Sequence, residues 1–442
     1  MARPDEPLTD TSPTASDGVI SASTGDESPV SRRAIVVGAA LAAGSRVLRS
    51  VRGADREPEA PQAAPAIRDP VPDTIPDPTK IQGRAPNEVG QRSSFERPRR
   101  KAGATSSQTP LDDLHGEITP SDLHYERHHA GVAVVDPRTY TLLVHGLVDR
   151  PTIFTLDDLT RFPSTSRVCF LECSGNLARN ARETSRAQDI CGLTSQSEWT
   201  GVRLATLFRD VGVRPDASWF LAEGGDAAVL ARSIPIEKAW DDAMIVYAQN
   251  GEAIRPEQGY PARLLLPGWE GNTNVKWLRR LELATRPFMT REETSKYTEA
   301  LKGDKARQFS FLIDARSIIT SPTYPQRVQP GWIEIRGIAW SGRGHIARTD
   351  VSFDEGHSWH ETDLQDPVRP KAHTRFRYLW KWNGRETTVL SRATDETGYV
   401  QPTQRALIDA RGLGSGPYHL NPITGWRIHR DGSVVFRTEP WA

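Results

Sequence analysis

From about residue 115 onward, apolar and polar positions alternate over short stretches, and few stretches show a helical period. TYTLLVHG (139–146), VCFL (168–171), WFLA (219–222), MIVYA (244–248), ARLLLPG (262–268) and VKWLRRLEL (275–283) each predict a strand, with an Asn250-Gly251 turn after the fourth. Two stretches depart from this pattern. In TLDDLTRF, Thr155 and Asp158 have capping-box spacing for a short helix. WTGVRLATLFRDVGV (199–213) has helical periodicity, with Gly212 as its stop. Short strands mixed with short helices predict an α+β domain over residues 115–308. Past Ile319-Thr320-Ser321-Pro322 the texture changes. GWIEIRGIAW, HIARTDVSF, RFRYLWKW and TTVLSRATD alternate without a helical pattern between them, which predicts an all-β sandwich over 309–442. Within it, Ser352, Asp354, Gly356 and Trp359 have the spacing of an Asp-box hairpin, a structural turn with Trp packed beneath.

The chain before residue 115 has no such pattern. Residues 1–66 combine a disordered Ser/Thr/Asp/Pro-rich start with SRRAIVVGAALAAGS, in which Arg32 and Arg33 precede a short apolar run. That run is too short for a membrane span and has the layout of a twin-arginine export signal, with Ala64-Pro65-Ala66 as a cleavage site. An extracytoplasmic, periplasmic location is therefore expected. Because this route carries folded proteins, a bound cofactor is expected too. Residues 67–114 read as a Pro/Ala/charged linker.

Composition narrows the classes. The 56 basic and 56 acidic residues cancel, which argues against nucleic acid or an anionic membrane as the main partner. No apolar run approaches the roughly 20 residues needed to cross a bilayer. Three cysteines cannot build a disulfide framework. Cys169 and Cys173 would lie roughly 13 Å apart on an extended strand, too far to bridge. No C-x-x-C pair begins a zinc site. Cys169 and Cys191 read as core residues. Cys173 differs, because in FLECSGN (170–176) it stands where a strand ends and small residues begin. A thiolate there is a soft, single-point metal ligand, suited to a metal whose other ligands come from an organic cofactor.

Glu172-Cys173-Ser174-Gly175-Asn176 fits the E-C-x-G-N motif, and the sequence resembles the sulfite oxidase family of molybdenum enzymes. Other motifs follow in family order: Ile118-Thr119-Pro120, Tyr125-Glu126-Arg127-His128-His129, Trp199-Thr200-Gly201-Val202, Asn250-Gly251-Glu252, Gly259-Tyr260-Pro261-Ala262-Arg263, Pro267-Gly268 and Val275-Lys276-Trp277-Leu278. The tail, with Ala339-Trp340-Ser341-Gly342 and Gln401-Pro402, looks like the family's immunoglobulin-like dimerisation domain. Within the family, PGWEGNTNVKW and LTSQSEWTGV look most like the molybdenum subunit of the bacterial Sox sulfane (sulfite) dehydrogenase.

The resemblance implies a sulfite oxidase fold, a molybdenum–molybdopterin cofactor and a homodimer through the second domain. By position it makes Cys173 the metal ligand. Arg127 and Tyr297 fall at active-site positions. His128, His129, Asp226, Gln258, Arg263 and Lys276 fall at cofactor-binding positions, although His128 stands where the family usually has Asn and Gln258 where it has His. Other departures lie near the substrate. Ala178 replaces a pocket arginine, with Arg179 and Arg182 close by, and Gln188-Asp189-Ile190 stands where a pocket tryptophan is usual. Tyr418-His419-Leu420-Asn421 occupies the region of a second-domain arginine. These differences favour a larger or protein-attached sulfur substrate over free sulfite. Neither a C-x-x-C-H haem motif nor a G-x-G-x-x-G motif after a strand is present, so electrons are expected to leave to a separate acceptor, a c-type cytochrome subunit. Two alternatives stay open: a reductase of the same fold acting on sulfoxides or nitrate, and a non-catalytic exported β-sandwich binding protein.

Overall fold

The computed structural model describes residues 78–301, 303–412 and 418–439. The segment expected to carry the export signal, with Arg32, Arg33 and Ala64-Pro65-Ala66, lies outside the described residues, as do residues 67–77 of the linker. The chain divides into two compact units, Met1–Asn87 and Glu88–Ala442. Of the first, the described part is residues 78–87, with one 3-10 turn at Pro78–Lys80. All that follows concerns the second.

Two sheets make up the first half of this unit. One orders Glu252–Ala253, Met244–Gln249, Thr194–Arg203 and Ser164–Glu172 side by side, with Arg263–Leu265 also pairing to Met244–Gln249. The other runs Thr152–Thr155, Thr141–Gly146, Leu278–Ala284, Trp219–Gly224 and Ala231–Pro235. In it Leu278–Ala284 is parallel to Thr141–Gly146, and the other neighbours are antiparallel. The expected capping box is formed: Asp158 N–H donates to Thr155 Oγ1 at 3.1 Å, and Thr155 N–H donates to Asp158 Oδ2 at 2.9 Å. The longer helix is shorter than its periodicity suggested. It begins at Leu204, because Trp199 and Val202 belong to the preceding strand, where they lie on opposite faces and are buried in separate cores.

A second correction concerns the expected linker. Residues 101–111 are part of the fold. Lys101–Ala102, Ser106–Gln108 and Glu126–Arg127 form a small sheet with Ser106 opposite Arg127. Thr109 N–H donates to Gly192 O at 2.8 Å, and Leu111 is buried in the second core. This segment is held mainly by polar groups, so it carries no apolar period to read.

The second half is a sandwich of two antiparallel sheets. One contains Arg316–Ser321, Gly331–Trp340, Thr374–Trp382 and Asp363–Gln365. The other contains His360–Glu361, Ile346–Ser352, Thr387–Asp395, Thr424–Ile428 and Val434–Phe436. Along Gly331–Trp340, Ile335 points inward while Trp332, Glu334 and Arg336 are exposed. At the Asp box, Gly356 takes φ +86°, and Gly356 N–H donates to Ser352 Oγ at 2.9 Å. The Arg392 guanidinium covers Trp359 at 4.2 Å. One helix, Gln404–Arg411, had no clear signal in the sequence, since Leu407 is its one buried side chain.

The two halves share a core. Phe170, Ala187, Ile190 and Cys191 from the first half pack with Trp340, Phe376, Val389 and Trp426 of the sandwich. Phe170 stacks on His373 at 5.8 Å, and His373 lies 5.1 Å from Trp340. The strand that ends at Glu172 is thus gripped by both halves where it delivers Cys173.

Candidate active site

The Cys173 turn is built by its neighbours. Cys173 N–H donates to Leu193 O at 3.0 Å, and Asn176 N–H returns to Cys173 O at 2.9 Å. Glu172, only 2% exposed, turns inward. Its carboxylate accepts from Asn176 Nδ2 at 2.9 Å, from Trp340 Nε1 at 2.6 Å and from Arg316 Nη1. Arg316 and Trp340 belong to the sandwich, so the turn is clamped from across the half-to-half boundary. Cys169 and Cys191 are buried free thiols, as expected of core residues, and Cys173 is half-buried. Burial raises the Cys173 thiol pKa, opposed by the Gly175 backbone and the charge of Arg127.

A cleft of about 650 Å3 opens at this turn. It gathers the residues that the sequence placed at metal, active-site and cofactor-binding positions. Cys173, Arg127, His128, His129 and Asp226 line it together with Gln258, Arg263, Lys276 and Tyr297. Arg179 and Arg182 do not line it.

On one wall, the His128 ring bridges Glu126 Oε2 at 2.6 Å and Lys276 Nζ at 2.8 Å. Lys276 Nζ also donates to Arg127 O at 3.2 Å and Glu257 O at 3.0 Å. Burial, with the nearby charge of Arg263, lowers the Lys276 pKa to about 7. The Glu126 carboxyl is held at about 2, chiefly by the hydrogen bond from His128. Gly259 is required beside this wall: its φ is +108°, and a Cβ would lie 2.9 Å from Lys276 Cβ. At the opposite side, Tyr297 ends a π-helical turn, Glu292–Lys296, and its hydroxyl lies 3.1 Å from His129 Nε2. Tyr418 of the sandwich packs against it at a tilt, with ring centres 5.2 Å apart. Asp226 sits on the turn after Trp219–Gly224, where Oδ1 accepts from Leu230 N–H at 3.2 Å.

Arg263 forms the floor and is 3% exposed. Nη1 donates to Gln258 O and Nη2 to Asn274 O, each at 2.9 Å, and the guanidinium lies over Trp199 at 5.2 Å. Its Nε has no partner, and among the described residues no carboxylate forms an ion pair with it. Burial lowers its pKa to about 10. A buried, uncompensated cation is costly, so the site is set up for an anion. Among the described residues no three His, Cys, Asp or Glu side chains cluster to hold a metal. A metal at Cys173 therefore needs further ligands from a bound group, and an anionic dithiolene cofactor suits a thiol next to buried cations.

This gives an expected result for Arg263→Met. In cofactor-free protein, melting should be unchanged or slightly improved, because a buried unpaired charge is replaced by an apolar side chain. Cofactor retention should fall about 10- to 100-fold, matching a lost charge-assisted hydrogen bond of about 1.5–3 kcal/mol. Molybdenum and pterin assays after extensive dialysis measure it. Full retention would take Arg263 out of the cofactor site.

Several lining residues were not singled out from the sequence. Glu126 and Trp277 sit beside chosen residues, within YERHH and VKW, and could have been found there. Asn272 and Asn274 stand in PGWEGNTNVKW, where consecutive small polar residues signal a tight turn: Asn274 Oδ1 accepts from Leu266 N–H at 2.6 Å. Tyr418, noted in the sequence only for standing in the region of a second-domain arginine, packs against Tyr297 without lining the cleft.

Comparison with known proteins follows this geometry. Residues 129–292 match the oxidoreductase molybdopterin binding domain, and residues 307–425 match the Mo-co oxidoreductase dimerisation domain. The crystal structure of the sulfane dehydrogenase SoxCD from Paracoccus pantotrophus contains a similar chain: 41% identity, TM-score 0.77, covering 82% of this chain and 99% of that one. Mitochondrial sulfite oxidase of Drosophila melanogaster is 29% identical over 341 residues, 68% of this chain and 58% of the relative. NADH nitrate reductase of Ulva prolifera is 28% identical over 373 residues, 74% of this chain and 42% of the relative. The chain thus spans about half the length of these two enzymes. The molybdopterin-binding half, the dimerisation half and the likeness to a sulfane dehydrogenase agree, and the chain belongs to the sulfite oxidase family of molybdopterin oxidoreductases.

Proposed function

We propose that this chain is the molybdenum-bearing part of an enzyme that oxidises a reduced sulfur centre, sulfite or a protein-bound sulfane. Water supplies the oxygen, two protons are released, and two electrons pass to a c-type cytochrome. The observation that carries this reading is the convergence of the Cys173 thiol with Arg127, Arg263 and Lys276 on one cleft, in a chain 41% identical to one in a sulfane dehydrogenase. Cys173 would hold the metal, and Arg263, Lys276, His128, Gln258 and Asp226 the pterin and its phosphate. When bound, the group supplies two-electron redox chemistry. Arg127 binds and orients the anionic end of the substrate, while Tyr297, hydrogen-bonded to His129, closes the opposite side. Arg179 and Arg182 lie off the cleft, so they add no positive charge beside Arg127 at the substrate end. That supports a larger, thiol-derived substrate. The test is molybdenum content together with cytochrome c reduction by sulfite or thiosulfate; metal-free, inactive protein would refute it.

Arg127 gives the sharper test. Arg127→Gln should lower kcat/KM about 10- to 100-fold, the effect of one charge-assisted hydrogen bond. Molybdenum content should stay nearly unchanged. Loss of metal in step with activity would place Arg127 on the cofactor instead.

The nitrate reductases among the relatives favour a second reading, reduction of nitrate. Nitrate-dependent oxidation of reduced viologen, without sulfite-dependent cytochrome reduction, would select it. Two further parts of the proposal concern location and assembly. Export rests on Arg32 and Arg33: exchanging both for lysine should retain the protein in the cytoplasm, and normal export would remove this part. A homodimer through residues 307–425 fits the dimerisation match and the outer sheet face, where Trp332 and Leu379 are 66% and 62% exposed. A monomer in solution at micromolar concentration would count against it.

A further inference from the structure

A second, small cavity also touches Cys173 and is lined by Ser174, Asp314, Arg316 and His419. His419 arrives from the sandwich half. Its N–H donates to Ser174 O at 2.9 Å, and its Nε2 lies 2.6 Å from Glu270 Oε1. Glu270 is wholly buried. Its other oxygen accepts from Asn272 Nδ2 at 2.5 Å, and the same amide reaches Ser174 Oγ at 3.2 Å. The His419 backbone and, through the Asn272 amide, the Glu270 carboxyl thus both reach Ser174, the residue that follows Cys173.

Other charges surround this pair. Arg232, 0% exposed, donates from Nε to Glu293 Oε1 at 2.7 Å and stands 3.9 Å from Glu270. Arg411 and Arg307 face Glu299 at 3.4 and 3.5 Å, and Glu299 is 3.7 Å from His419. Each cation thus has a nearer carboxylate than Glu270. Burial raises the Glu270 pKa, opposed by the Arg232 charge 3.9 Å away, and lowers that of His419. The two side chains meet at 2.6 Å without completing a hydrogen bond of ordinary geometry. His419 also sits at φ +56°, where a residue with a side chain is held only by its surroundings, here by the Arg411 guanidinium donating to His419 O. The Arg232 guanidinium lies beneath the Tyr297 ring at 5.0 Å, and its partner Glu293 belongs to the turn that carries Tyr297. One buried cluster therefore adjoins both sides of the cleft.

We propose that Glu270 and His419 are positioning residues, a buried carboxyl–imidazole contact through which the dimerisation half sets the turn that carries Cys173. The proposal rests on Cys173 as the metal ligand, and it assigns to the second half a direct part in shaping the metal centre.

The test uses the molybdenum-loaded protein with sulfite as donor and cytochrome c as acceptor. His419→Ala and Glu270→Ala should each lower kcat about tenfold or more with KM changed less than about threefold, the pattern of a misplaced reacting centre. Electron paramagnetic resonance of the one-electron-reduced centre should change in both, with metal content preserved. Glu270→Gln should leave kcat and the spectrum near the parent values, because glutamine keeps the shape, the contact with His419 and an oxygen to accept from Asn272. Parent-like kcat and spectra in the alanine variants would overturn the proposal. So would a Glu270→Gln variant as impaired as Glu270→Ala, or activity lost only in proportion to metal or folded protein. Parent protein without molybdenum would instead refute the functional reading on which the proposal stands.

Discussion

Replacing Cys173 by serine should leave a folded protein with less than about one-hundredth of the parent turnover. The hydroxyl is a harder and far less acidic ligand than a thiol, so it cannot replace the thiolate at a soft metal. Folding should be spared because the turn is held by backbone bonds at Leu193 and Asn176 and by the Glu172 clamp, none of which uses the sulfur. Cys169→Ser and Cys191→Ser should keep metal and turnover. Each places a hydroxyl in a buried apolar site, so their losses should appear in melting temperature instead. Assaying turnover, molybdenum and thermal melting on the three variants separates these outcomes. An active Cys173→Ser protein beside an inactive Cys191→Ser protein would reassign the ligand.

The second large effect is expected at Glu172. Glu172→Ala leaves the Arg316 guanidinium buried without its carboxylate and removes the acceptor of Trp340 Nε1. Breaking a buried pair from one side costs about 3–5 kcal/mol. In a unit of this size that corresponds to a melting temperature lower by about 10 °C. Metal should be lost as well, since Glu172 and Asn176 together shape the turn that presents Cys173. The double variant Glu172→Ala, Arg316→Met should recover much of the melting temperature, because the stranded charge is gone, but should not recover activity. Recovery of both would mean that the clamp has no part in presenting Cys173. No loss in the single variant would mean that Arg316 finds another partner.

Much of the fold was legible because the strands that build it carry alternation. Gly331–Trp340 and Thr374–Trp382 could be read directly, since one face of each is wet and the other dry. The strand Thr194–Arg203 could not be read along its first half. Thr194, Ser195, Gln196 and Ser197 are all buried although polar, and they are hydrogen-bonded to His373, Thr109, Tyr125 and Gln249 from distant parts of the chain. Such a strand has no hydrophobic signature, because its stability lies in hydrogen bonds made only after folding. The site divides in the same way. Cys173, Arg127, Arg263 and Lys276 sit in compact motifs and were legible one by one. The network of Arg232, Glu270, Glu293 and His419 was not, since each member gains its meaning from a partner brought in by tertiary structure. The short helix at 404–411 and the packed segment 101–111 escaped for a related reason: neither buries enough apolar surface to leave a period.

The core shared between the halves has a consequence for how this chain could be divided. Phe170, Ile190 and Cys191 are inserted among sandwich side chains, and Glu172 meets its charge partner there. A cut between residues 292 and 307, where the family matches suggest two modules, would expose apolar surface on both pieces and strand a charge on each. Thermal unfolding should therefore pass through one cooperative transition, with no stable half. Recombination between relatives at that junction would join surfaces shaped for different partners. The interval that looks like a domain boundary in sequence is mechanically the middle of a single body.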